Sequence, residues 1–235
     1  SSKGVNLGFT TQDVQYKANE DGTIVSFIQA NELWSYNQKE GEFALVFSFL
    51  DSEKEDIRHR CDAHSLKILS MEENGNVTFA VYGYMNRGNH EGKSGATIYY
   101  YNQAKNVVEE KVFIPSNQSY IAIEKELGKF AFYHDEKNVL YVMTSGELCE
   151  IHLKTGEKTT LLSNLKSGQY VSSEDGSLIA YQKEDKESEA IVLNFETGRE
   201  ETIRVSEGEV IQPLGFVMGD FVYGISRGQD AGKLS

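Results

Sequence analysis

The sequence predicts an all-β fold of repeated four-stranded antiparallel units, and three observations predict it. Residues 169–203 run as strand, Asp175-Gly176 turn, strand, loop, strand, Thr197-Gly198 turn, strand. Related turns recur at Asp21-Gly22 and Asn74-Gly75, so the pattern repeats with a period in the forties once insertions are allowed for. The chain sets 2 Pro against 21 Gly and carries 13 Tyr and 12 Phe, a balance of strand formers and turn residues rather than of linker or disorder. Tight hairpin turns want positive φ at their central residues, which Asn, Asp and Gly supply at least steric cost. About five such units stacked around a common axis make a β-propeller, whole or part of a larger ring.

The first blade spans approximately residues 13–49, with apolar runs at 23–29, 32–37 and 43–49 behind the Gly22 turn. The second spans 64–114, with runs at 65–70, 77–82, 97–102 and 108–114 and an inserted loop at 85–95. The third, 129–163, turns at Glu136-Lys137-Asn138, and Thr155-Gly156 joins its last two strands. The fourth occupies 169–205, and the fifth, 211–235, is incomplete. A helical insertion falls at 116–128, where residues 120–127 read as a short helix ended by Gly128. Residues 51–62 form a polar, highly charged connection, and residues 4–10 offer an outer strand that could close the ring. Near-continuous apolar runs such as 23–28 predict inner strands covered on both faces.

In the fourth blade, Ser173-Glu174-Asp175-Gly176-Ser177-Leu178-Ile179-Ala180-Tyr181 is followed by Ile191-Val192-Leu193-Asn194-Phe195-Glu196-Thr197-Gly198. This stretch resembles the blade of TolB-type and dipeptidyl-peptidase-type propellers, relatives of the WD-repeat class, most closely over residues 169–205. The Trp-Asp dipeptide of true WD repeats is missing. The resemblance implies the propeller fold and a bacterial, extracytoplasmic setting. It implies no catalytic residues, because those peptidases keep their chemistry in a separate domain.

The formal net charge of −13 argues against nucleic acid or an anionic membrane as partner, since phosphates are repelled at long range. The same charge reads either as solubility or as attraction for cationic ligands. Apolar stretches are strand-sized, so no direct membrane insertion is expected, and the sequence reads as part of a larger protein. Two cysteines, Cys61 and Cys149, make no disulfide framework.

Several motifs invite chemistry. Gly224-Ile225-Ser226-Arg227-Gly228 has the spacing of a nucleophile elbow, but no histidine follows Ser226, and a glycine-flanked turn after a strand is the plainer reading. Gly88 to Ser94 falls one residue short of a phosphate loop and lies between strands rather than before a helix. Cys61 with His64, and Cys149 with His152, show Cys-x-x-His spacing. On a strand, residues three apart point to opposite faces, so no metal and no cofactor is expected. His59, Asp62, His64, His90 and Glu91 lie in two loops flanking one blade, where imidazole and carboxylate could meet a polar ligand.

Aromatic and polar groups beside the long loop suit recognition, so Tyr84, Arg87, His90, Glu91, Tyr100 and Trp34 are the candidate ligand-binding residues. No catalytic residue is assigned. The expected function is a non-catalytic recognition or scaffold module of a larger bacterial surface or envelope protein, binding a protein, peptide or carbohydrate through inter-strand loops. The competing class is an extracytoplasmic hydrolase or lyase, or the accessory propeller of one.

Overall fold

The computed structural model describes residues 14–48, 64–86, 88–128, 130–183 and 185–227. The expected strand at 4–10, the connection 51–62 with His59, Cys61 and Asp62, and the candidates Arg87 and Gly228 lie outside the described residues. The chain divides into two compact units, residues 1–124 and 125–235.

In the first unit, β1 (Tyr16–Ala18), β2 (Ile24–Gln29), β3 (Glu32–Asn37) and β4 (Glu42–Ser48) form one sheet in chain order. A second sheet follows, made of β5 (His64–Met71), β6 (Val77–Tyr84), β7 (Ser94–Asn102) and β8 (Val107–Pro115). Each strand pairs antiparallel with its neighbour in sequence. Leu33 and Val46 of the first sheet pack into one core with Ile68, Val77, Phe79 and Tyr101 of the second. The Phe47 ring reaches Phe79 at 5.7 Å and Tyr99 at 5.4 Å. Burying one such ring stabilises by about 1.5–3 kcal/mol, and each aromatic pair adds about 0.5–1.5 kcal/mol. Strand β6 is buried at every residue except Tyr84, as its near-continuous apolar run requires, whereas the outer strands β4 and β8 are largely exposed.

Helix α1 (Tyr120–Ile123) starts at Ser119, whose hydroxyl accepts from the Ala122 N–H at 3.4 Å. It widens into a π-helical turn over Glu124–Gly128, so the expected short helix is present with a looser second half.

The second unit holds β9 (Ala131–His134), β10 (Val139–Thr144), β11 (Glu147–His152) and β12 (Lys158–Leu162) in one sheet. The next comprises β13 (Tyr170–Ser172), β14 (Leu178–Lys183), β15 (Lys186–Asn194) and β16 (Glu200–Arg204). The hairpin of β17 (Glu209–Val217) and β18 (Asp220–Arg227) follows. Phe130, Tyr141, Met143 and Leu148 form a core with Ile179, Tyr181 and Phe195. The sequence reading put a glycine-flanked turn at 224–228. Residues 224–227 instead continue β18, where Ser226 pairs with Val210, because the ladder outruns the glycines.

One turn recurs in three sheets. Asp21, Asn74 and Asp175 each accept through Oδ1 from the backbone N–H two residues on, at 2.9, 2.9 and 3.0 Å. The glycine after each has positive φ: 67°, 88° and 75°. In the third sheet Asn138, not Lys137, is left-handed with φ 53°, and the Tyr133 hydroxyl donates to its side-chain oxygen at 2.7 Å. The all-β architecture of blade-like sheets with one short helical insertion is the one the sequence predicts.

Candidate functional site

The loop between β6 and β7 is a closed hairpin connection. The Met85 N–H donates to the Lys93 carbonyl at 2.8 Å, and the Gly92 N–H to the Met85 carbonyl at 2.9 Å. His90 lies flat on Phe113 of β8, with ring centroids 4.0 Å apart and 9° between planes. Its Nε2 is 2.6 Å from Glu110 Oε1. His90 therefore clamps the loop onto the outer strand. Glu91 and Tyr84 are exposed beside it.

The other candidates sit elsewhere. Tyr100 faces Thr78 while Tyr84 faces Ser94, so the two tyrosines are separated by six residues of strand, about 20 Å. The Tyr100 hydroxyl accepts from Asn76 Nδ2 at 2.7 Å and donates to Glu72 Oε1 at 3.0 Å, and Lys111 Nζ lies 5.2 Å from its ring centre. Trp34 belongs to the first sheet, paired with Phe27 and Leu45, and its Nε1–H donates to Glu32 at 3.2 Å. The structure gathers Tyr84, His90 and Glu91 at one sheet end, leaves Tyr100 at the other, and keeps Trp34 on a different sheet. Cys149 is buried and free, and no group of three or more His, Cys, Asp or Glu converges among the described residues.

The second unit holds a cleft that no sequence motif marks. Cross-strand pairing puts Phe132, Tyr141 and Glu150 on one face of the third sheet, and Tyr170, Tyr181 and Ile191 on one face of the fourth. The same register places Leu193 beside Glu200. Toward the outer strands these faces leave an open cavity of about 290 Å³ lined by Tyr141, Glu150, Leu162, Tyr181, Phe195 and Glu200, among others. Leu161, 41% exposed, stands at its rim.

The floor is aromatic. Phe195 stacks on Tyr141 with centroids 4.3 Å apart and lies 6.2 Å from Phe132. Burial, then the hydrogen bond with Glu150 and its charge, push the Tyr141 phenol up to about 12. Burial, then the Glu200 charge, raise Tyr181 as well. The two phenols thus share the cleft with two carboxylates. His152 Nε2 approaches Glu150 at 3.3 Å but does not line the cleft.

No protein-family model matches the sequence, and no curated protein matches it. Among solved structures, the tricorn protease aligns over 84% of the chain at 11% identity and a TM-score of 0.46, and the chain spans 17% of that protein's length. YjhT aligns over 87% of the chain at 10% identity and a TM-score of 0.42, with 70% of its own length covered. Dipeptidyl peptidase 4 from Porphyromonas gingivalis aligns over 92% of the chain, again at 10% identity and 0.42, with 44% of its length covered.

The sequence held a partial signal for the cleft. Tyr141 and Glu150 flank the Ser145-Gly146 turn, at matched distances that hairpin pairing converts into one face. Phe195 sits in the most regular repeat, where it reads simply as a core residue. Only the packing of two sheets brings them to one place.

Proposed function

We propose that this chain is a non-catalytic recognition module that binds an extended segment of a protein partner in the cleft of its second unit. The carrying observation is the cleft itself: a concave, mostly apolar and aromatic surface with two carboxylates. Its polar groups are few and spaced for orientation, which suits binding. The likeness of the fourth blade to TolB-type propellers supports an extracytoplasmic setting in a bacterial surface or envelope protein. The loop carrying His90, Glu91 and Tyr84 is a separate contact surface in this reading, belonging to the first unit.

Panning a random heptapeptide library on the chain tests the proposal. Selected peptides are expected to bind the wild type and to lose at least tenfold in affinity against Leu161→Arg, which fills the rim with a charged side chain. Peptides that bind both forms equally would move the site away from the cleft.

A further inference from the structure

We infer that the cleft selects a basic side chain, a cation carried on an apolar stem as in lysine or arginine, with its head between Glu150 and Glu200. The inference rests on the proposed binding role and names its ligand class. It begins from charge. The residues lining the cleft include two carboxylates and no basic group. An acidic group alone would mark no site, since the chain carries 36 acidic residues against 23 basic ones. Here the half-buried Glu150 and the exposed Glu200 line a cavity whose other walls are leucine and aromatic side chains with Asn194 and Gly198.

Shape gives the second argument. Leu161, Leu162 and Leu193 offer apolar contact for a methylene stem, which basic side chains bury while keeping the head in a polar place. The volume of about 290 Å³ corresponds to about ten water molecules in the liquid, enough for a long side chain and part of its backbone.

Orientation of the polar groups is the third. The Glu150 side chain is 26% exposed, so it is partly desolvated and its field is less screened than that of a surface carboxylate. A carboxylate has about four acceptor positions, and the Tyr141 phenol occupies one of them. With His152 Nε2 also 3.3 Å from Glu150 Oε1, the positions left over are those an ammonium or guanidinium head would use. The ring of Tyr181, 8% exposed, adds an aromatic wall that favours cations. An anionic ligand meets the opposite situation at every one of these points.

The test uses the full chain, isotopically labelled for amide NMR, and three blocked tripeptides: Leu-Lys-Leu, Leu-norleucine-Leu and Leu-Glu-Leu. The lysine peptide is expected to shift the amides around Glu150, Leu162 and Phe195, to bind at least tenfold more tightly than the norleucine peptide, and to weaken as salt is added. The variants Glu150→Gln and Glu200→Gln should each reduce lysine-peptide affinity at least threefold while leaving norleucine binding and the dispersed native spectrum unchanged. Equal binding of the lysine and norleucine peptides at these amides would overturn the charge selection and leave the binding cleft standing. If no tripeptide moves these amides, the inference fails, and the panned peptides decide separately whether the cleft binds at all.

Discussion

Phe195, in the turn that follows β15, stacks on Tyr141 of β10 at 4.3 Å, with 25° between their planes. The pair joins the third and fourth sheets and floors the cleft, so stability and recognition meet in one contact. Replacing Phe195, which is 2% exposed, by Ala removes a core ring and its stacking partner together. The expected cost is about 3–5 kcal/mol by denaturant titration. A loss below about 1 kcal/mol would show that the two sheets are held by other contacts.

Gly146 makes a steric prediction that Gly198 controls. Its φ is 74°, and a Cβ there would stand 2.8 Å from the Leu165 carbonyl oxygen. Gly198 shares the positive φ, 69°, but its Cβ would meet nothing within 4 Å. Gly198→Ala is therefore expected to cost about 1 kcal/mol through backbone strain alone, and Gly146→Ala clearly more, because the Leu165 backbone must also move. Thermal melts of the two variants check this, and equal shifts would refute the steric part.

Lysine 67 ties stability to pH in an unusual direction. Burial first, and the charge of Lys17 second, lower its pKa from 10.5 to about 8. Between those two values the unfolded chain binds more protons than the folded one, so stability rises with pH across that window. Below pH 8 the full cost of holding the ammonium is present. Lys67→Met is expected to lose this rise, its stability staying flatter than that of the wild type between pH 8 and 10.5. Parallel stability curves for the two proteins from pH 7 to 10.5 would contradict this.

What the sequence discloses and what it hides divide along the range of the interactions. The turns at Asp21, Asn74 and Asp175 were legible because each is made by an oxygen and an N–H two residues apart. The helix beginning at Tyr120 was legible from the short run that Gly128 ends. The end of the fifth hairpin was misread because a Gly-x-Ser-x-Gly pattern suggests a turn, while the pairing of Ser226 with Val210 depends on a distant strand. Among the described candidates only Tyr84 and Glu91 are exposed, with Trp34, His90 and Tyr100 half-buried, and the strand spacing that parts Tyr84 from Tyr100 needed the register. The cleft was hidden most fully. Glu150 and Glu200 approach one cavity only because two separately formed sheets pack face to face.

Among the described residues strands pair only with their neighbours in sequence, which has a consequence for how the protein is made. Each sheet needs no residue that has not already been synthesised, so a sheet can close while the ribosome is still adding the next. Nascent intermediates of this chain should therefore carry finished hairpins, with few strand edges left waiting for a distant mate.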